Sequence, residues 1–260
     1  MRDSKKRHLI IPDVQAKPGV SLTHLTAIGN YIVAKKPEVI VCIGDFADMH
    51  SLSYYDIGRR AAEGARVRKD LDVAKEAMDL LLAPMRKYNK MRKKNKKKQY
   101  TPRMVMTLGN HEYRIERHVE TYPNLEGFLS MDSLPYDDWE VVPFLEIIEV
   151  DGIKYSHYFI NPHSARKGVV GGMIDTKLKN LGWSFTMGHQ QILQYGVQFL
   201  GDGSCRQGLV CGAFYQHDEP YMGPQGNSSH WRGCVMKNEV GDGKYDPCFL
   251  SLDYLLDRWL

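Results

Sequence analysis

Carboxylate, amide and imidazole residues stand where successive apolar runs of this chain end. In order they are Asp13 and Gln15, Asp45 and Asp48, Asn110 and His111, then His157 and His189. Oxygen and nitrogen donors in this mixture suit Mn²⁺, Fe, Zn²⁺ or Mg²⁺, and the reaction such ions promote is hydrolysis. The five cysteines, at positions 42, 205, 211, 234 and 248, are odd in number and never spaced C-x-x-C. Neither a thiolate zinc ribbon nor a disulfide framework is therefore expected. Taken singly, each candidate has an ordinary structural role: Asp13 as a turn residue or helix cap, Asn110 in a left-handed turn, His157 as a half-buried strand histidine, His189 bonded to backbone. Their order, and their shared placement after apolar runs, is what points to a metal.

The elements that must position them can be read from periodicity. His8-Leu-Ile-Ile-Pro12 reads as a buried strand ending in a polar turn. Ser21 is the expected N-cap of a helix whose apolar residues Leu22, Leu25, Ile28, Ile32 and Val33 recur at helical spacing up to Pro37. A second continuous apolar run, 38–43, ends in Gly44-Asp45. Strand, helix and strand make a parallel unit, and such sheets place ligands at the carboxyl ends of their strands. Residues 66–92 read as one long amphipathic helix, with Leu71, Ala74, Met78, Leu81 and Leu82 on one face. Met104–Leu108 is a third buried strand and runs into Gly109-Asn-His-Glu112. Beyond 140, Val141–Val150 and Ile153–Phe159 flank Asp151-Gly152 as a hairpin, and a helix is expected around 165–181. The simplest organisation is one domain over 1–260, with parallel units first and a more antiparallel second half.

Composition sets outer bounds. The 260 residues are 43% hydrophobic and 25% charged, which excludes disorder and supplies a sizeable core. No apolar run approaches the ~18 residues of a membrane helix, and the basic, polar start does not resemble a secretory signal, so a cytoplasmic protein is expected. The formal charge of +4 is carried by Arg86–Lys98, which holds nine basic residues and no acid; the remainder has 26 basic against 31 acidic residues. Such a block, read as a basic helix-end and loop insertion at about 86–100, is either a solvated, mobile loop or a handle for polyphosphate or nucleic acid.

Five motifs taken together, Asp-x-Gln (13–15), Gly-Asp-x-x-Asp (44–48), Gly-Asn-His-Glu (109–112), a lone His after a strand (157) and Gly-His-x-Gln (188–191), resemble the calcineurin-like metallophosphoesterase superfamily. The resemblance is closer to bacteriophage-encoded members through residues 44–56, 156–159, 225–227 and 230–233, which would place the protein in a host cytoplasm. It implies an α/β fold: a four-layer α/β/β/α sandwich of two mixed β-sheets flanked by helices, with a dimetal site at the carboxyl ends of strands. By the same resemblance Asp45 bridges two metals, and Asn110, His157 and His189 complete the second site. Asp13 belongs to the first site, where Gln15 and Gln191 stand in place of two histidines. Exchanging imidazoles for amide oxygens makes that site harder and weaker, so two divalent ions are expected with Mn²⁺ preferred and Mg²⁺, Fe or Zn²⁺ as alternatives.

The implied reaction is in-line attack on phosphorus by a metal-bridging hydroxide, with His111 protonating the leaving oxygen and Asp48 orienting His111. His50, Tyr54 and Arg114 are candidate substrate contacts. For Arg114 and Arg117 pairing with acids on the helix surface is favoured over phosphate binding, and Glu112 reads as a supporting residue rather than a ligand. The expected activity is a metal-dependent phosphoesterase, leaning to phosphodiester substrates such as nucleic acid or nucleotides because of the 86–98 block. A phosphomonoesterase acting on protein or nucleotide, and a non-catalytic binding module with a degraded first site, are the alternatives.

Overall fold

The computed structural model describes residues 5–219 and 222–260. Strand β1 (Lys6–Ile11) leads through α1 (Thr23–Lys35) to β2 (Val39–Cys42). The long α2 (Val67–Lys94) leads to β3 (Arg103–Thr107), and α3 (Arg114–Thr121) to β4 (Glu140–Val142). Then come β5 (Ile148–Val150), β6 (Ile153–Tyr155), α4 (Ile174–Leu181), β7 (Phe185–Met187), β8 (Leu193–Phe199) and β9 (Cys205–Cys211). The chain closes with α5 (Gly223–Ser229), β10 (Gly233–Gly241), β11 (Lys244–Ser251) and α6 (Leu252–Trp259). One sheet has the order β11-β10-β1-β2-β3-β4, the other β5-β6-β7-β9-β8. Both are mixed: β1 to β4 run parallel, as do β6, β7 and β9, while β10, β11, β5 and β8 are antiparallel to their neighbours.

Strand alternation sorts the core into layers. Leu9, Ile11, Ile40, Cys42 and Met106 face α1, α2 and α6, where they pack on Leu25, Ile28, Met78, Leu81 and Leu255. Their neighbours Ile10, Val39, Val41, Ile43 and Val105 face the second sheet, against Ile153, Tyr155, Leu209 and Cys211. On the far side of that sheet Phe185, Met187 and Val210 meet Ile174 and Leu178 of α4. The result is the four-layer α/β/β/α sandwich that the motifs implied. Both faces of the parallel strands are covered, which is why they read as unbroken apolar runs. Lys237 is fully buried between the sheets, its Nζ bonded to Thr186 Oγ1 and 4.2 Å from the Tyr245 ring centroid.

Several local expectations are corrected. Ser21 does not cap α1; its hydroxyl donates to Gln216 Oε1 (2.8 Å) and the helix starts at Thr23. Val141–Val150 is not one strand, because Pro143 and the left-handed Leu145 (φ 68°) break it, so β4 joins the first sheet and β5 the second. The helix around 165–181 is shortened to eight residues by Gly171-Gly172. The second half is less antiparallel than expected, since β6, β7 and β9 run together. α2 continues to Lys94, so most of the basic block lies on the helix and the rest follows its end. No helix among the described residues is long and apolar enough to cross a membrane.

Candidate metal centre

Five strand ends converge. Asp13 follows β1, Asp45 follows β2, Asn110 follows β3, His157 follows β6 and His189 follows β7. The connections are stitched together by backbone: Gln15 N donates to Asp45 O (2.8 Å), Asp48 N to Ala16 O (3.0 Å) and Gly188 N to His157 O (3.0 Å). Four of the loop residues, Gln15, Asp45, His189 and Gln191, hold left-handed backbone conformations with φ between 46° and 64°. Non-glycine residues adopt this region only where surrounding structure holds them there, and such positions cluster at functional sites.

Asp45, His157 and His189 offer ligand atoms that all lie within 4.8 Å of one another. His157 Nε2 is 3.2 Å from Asp45 Oδ2 and 3.0 Å from Asn110 Oδ1. Its other nitrogen, Nδ1, donates to Ile43 O (2.8 Å), which fixes the tautomer and leaves Nε2 for a cation. The glycines of the motifs make room. A Cβ on Gly44 would stand 2.6 Å from His157 Nδ1, and one on Gly109 or Gly188 would collide with Asp45 Oδ1 or Asp13 Oδ1.

Charge at the centre calls for a cation. Asp13, Asp45 and Asp48 are all buried, and Asp13 Oδ2 has no hydrogen-bond partner among the described residues. Burial pushes the Asp13 carboxyl up to about 7, with the Asp45 charge adding to it against the opposing pull of His157. Burial also acts on Asp45, but His111 and His157 outweigh it and hold that carboxyl well below the usual range. His157 is driven the other way: against burial, Asp45 first and Asp13 further raise it to about 10. Buried carboxylates drawn together in this way are what a cation would neutralise. An oxygen- and nitrogen-rich set with an orphaned buried carboxylate oxygen fits divalent ions. Asp45, His157 and His189, with Asn110 beside them, could hold one, and the resemblance assigns Asp13, Gln15 and Gln191 to a second.

Beside this cluster His111 Nδ1 lies 2.8 Å from Asp48 Oδ1, and its Nε2 is 3.7 Å from Asp45 Oδ2. Burial opposes protonation, but Asp45 and Asp48 together raise the His111 pKa. Asp48 is held below the usual carboxylate range, at about 2, by the His111 contact and then Arg114, against burial. Arg114 Nη1 donates to Asp48 O (2.8 Å) and Oδ1 (3.1 Å), so it is engaged with an acid of the site. Of the other expected substrate contacts, His50 lies 3.7 Å from Asp56 Oδ2, and Tyr54 is turned toward α3, bonded to Thr121 and lying under the Arg117 guanidinium.

Glu112 is fully buried and holds two ligand loops at once. Its Oε2 accepts from Asp45 N (3.0 Å) and Gly109 N (2.8 Å), and its Oε1 from Ala47 N and Tyr136 OH (both 3.0 Å). Sequence reasoning missed Lys17, Tyr215 and Glu219. Lys17 Nζ lies 2.5 Å from Glu219 Oε1 and 3.9 Å from Asp48 Oδ2, and Tyr215 OH donates to Gln191 Oε1 (2.8 Å). The signal for the last two was the apolar run 209–214, a further buried strand end opening into Tyr-Gln-His-Asp-Glu. An aromatic row also leads away from the centre: Tyr158 is 4.7 Å from His189, Phe144 is 5.5 Å from Tyr158, and Tyr113 stacks on Phe144 at 4.8 Å.

The basic block lies at the other end of the molecule. α2 begins beside the site, where Ser51 N donates to Asp70, and ends near the amino ends of β2 and β3, where Tyr88 meets Lys36 and Tyr100 OH reaches Pro37 O. Its 28 residues span about 40 Å.

No curated protein matches the sequence. Among solved structures, the chain is similar to a dimetal phosphatase from Danio rerio, with 11% identity, 96% of this chain and 97% of that one covered, and a TM-score of 0.47. A second solved structure is 11% identical, covers 95% of this chain and all of its own, and has a TM-score of 0.39. The calcineurin-like phosphoesterase family matches residues 7–233, nearly the whole chain. With that span and these strand ends, the chain belongs to the calcineurin-like phosphoesterase family and is a metal-dependent hydrolase of phosphate esters.

Proposed function

We propose that the protein hydrolyses phosphodiesters, of nucleotides or nucleic acid, at the centre formed by Asp13, Gln15, Asp45, Asn110, His157, His189 and Gln191, with Mn²⁺ as the preferred ion. When bound, the metals supply positive charge for the phosphoryl oxygens and make water a competent nucleophile at neutral pH. His111 carries a proton on Nε2, the nitrogen facing the centre, and delivers it to the leaving oxygen. Asp48, whose Oδ1 lies 2.8 Å from Nδ1, keeps the imidazole charged until that moment. Glu112 and the three motif glycines hold Asp13, Asp45 and His157 in place.

The observation that carries catalysis is the His111–Asp48 pair set beside the metal ligands, an arrangement with no use in a purely binding protein. Preference for a diester is supported by the neighbouring cations. Arg114 is engaged by Asp48 and Lys17 by Glu219, so the positive charge that a dianionic monoester would need is already neutralised. The row Tyr158, Phe144 and Tyr113 offers stacking surface for a base beside the scissile phosphate. The basic end of α2 is too far from the centre to touch the same phosphate; it serves as a second contact for a long polyanion.

The test is turnover of bis-p-nitrophenyl phosphate and p-nitrophenyl phosphate with Mn²⁺, Mg²⁺ or chelator. Mn²⁺-dependent preference for the diester, abolished in Asp45→Asn and reduced at least ~100-fold in His111→Ala, is expected. Preference for the monoester overturns the substrate assignment, and activity surviving Asp45→Asn overturns the site.

A further inference from the structure

Gln191 stands where the imidazole of a first-site ligand would be, and the structure shows how its amide is held. The Gln191 carbonyl accepts from Trp231 N (3.1 Å), which anchors its left-handed backbone. Its side-chain Oε1 accepts from Tyr215 OH (2.8 Å), and the same hydroxyl lies 2.7 Å from His230 Nδ1. Tyr215 is fully buried, stacked on His217 at 4.5 Å and covered on one side by the Arg232 guanidinium at 5.1 Å, so its ring has one place to be. The next residue back, Phe214, donates its N–H to Asp13 O (3.0 Å), which ties this segment to the loop of another first-site residue.

In this arrangement the amide oxygen of Gln191 sits at the Tyr215 hydroxyl and accepts its proton, and His230 Nδ1–H can donate to the same tyrosine oxygen from behind. A carbonyl oxygen has two lone pairs, and Tyr215 uses one. The other remains for a cation, and a cation on it would polarise the amide and strengthen the hydrogen bond behind it.

We infer that Tyr215 and His230 are positioning residues that present the Gln191 amide oxygen to the first metal and so tune that subsite to hard, oxygen-preferring divalent ions. Neither residue touches the metal. The inference rests on the first-site assignment made above and adds what orients its weakest ligand. Imidazole ligands are commonly oriented by a hydrogen bond to a carboxylate or carbonyl; an amide oxygen needs a donor instead, and a phenol backed by an imidazole is one.

The test is Mn²⁺ binding to the chelator-stripped protein, followed by electron paramagnetic resonance and calorimetry, with melting temperature as the folding control. Wild type should bind two Mn²⁺ in a tighter and a weaker class. Gln191→Ala should lose the weaker class. Tyr215→Phe, which keeps the ring and removes the hydroxyl, should weaken that class by about 10–100-fold and leave the tighter one unchanged. His230→Ala, at a half-buried position, should do the same to a smaller degree and serves if Tyr215→Phe does not fold. In Gln191→His, adding Tyr215→Phe should shift Mn²⁺ affinity less than threefold, because the amide it orients is gone. Unchanged Mn²⁺ binding in both Tyr215→Phe and His230→Ala, while Gln191→Ala loses an ion, overturns the positioning role alone. Unchanged binding in Gln191→Ala overturns the ligand assignment and the positioning role with it.

Discussion

Replacing Glu112 by glutamine changes one atom of a carboxyl that no substrate reaches, yet it should loosen the whole centre. The side chain is fully buried and accepts four hydrogen bonds, three from backbone N–H groups of Asp45, Ala47 and Gly109 and one from Tyr136 OH. A glutamine keeps its oxygen on the Asp45 and Gly109 pair and must turn its NH₂ toward Ala47 N–H and Tyr136. The tyrosine hydroxyl can reverse and accept, whereas the Ala47 N–H cannot. One buried donor is left unpaired, at about 1–3 kcal/mol, and the retained bonds lose their charge assistance, at about 1 kcal/mol each. The total is about 3–5 kcal/mol, or a melting temperature lower by roughly 10 °C for a chain of this size. Glu112→Ala, which removes every acceptor, should cost more.

The assay is thermal unfolding in chelator and again in Mn²⁺. The ion should restore part of the loss in Glu112→Gln, because binding selects the folded loops. Burial and the Asp45 charge push the Glu112 carboxyl up, while the N–H groups of Ala47 and Gly109 hold it down. If Glu112→Gln melts within about 2 °C of wild type, the carboxyl is neutral in the folded protein and the reasoning from charge-assisted bonds is refuted.

Gly188→Ala should displace Asp13, whose Oδ1 occupies the space a Cβ would take, and weaken one Mn²⁺ class at least ~10-fold; two unchanged classes would show that Asp13 is not a ligand. Charge reversal of Arg92, Lys93 and Lys94 should leave turnover of small diesters within about twofold, since α2 carries them about 40 Å from its site end, while reducing the salt dependence of binding to single-stranded DNA. A tenfold loss on the small ester would mean that the block acts at the centre. Burial lowers His8 and His24 to about 4 each, with Lys237 adding to the effect on His8. Their unfolded values lie near 6.5, so above that pH neither state is charged. As pH falls from 6.5 toward 4 the unfolded chain takes up protons that the folded one refuses, and stability is lost. At pH 5 each should contribute about 2 kcal/mol of destabilisation relative to pH 7.5, and His24→Asn should remove one such share from the urea-unfolding difference; an unchanged difference refutes the assignment.

Much of the site was legible because its residues sit at one repeated place. An apolar run covered on both faces of a parallel sheet must end at the sheet's carboxyl edge, and polar residues just beyond it have nowhere else to go. That argument located Asp13, Asp45 and Asn110 from β1, β2 and β3 without coordinates. The motif glycines were visible too, though only the packing shows that Gly109 and Gly188 leave space for Asp45 and Asp13.

Other features were settled by contacts between residues far apart in sequence. That Val141 and Ile148 belong to different sheets depends on Pro143 and Leu145 and on which edge was free to pair. The Ser21 hydroxyl was captured by Gln216, 195 positions away, and so did not cap its helix. The distance of the basic block from the centre follows from the direction in which α2 crosses the sheet, and periodicity carries no such direction. Residue types and their order determined the chemistry, because ligand donors are a property of side chains. Tertiary structure decided which hydrogen bond holds each donor, because Glu112 meets Asp45 only when β2 pairs with β3, and Tyr215 meets Gln191 only when β7 pairs with β9.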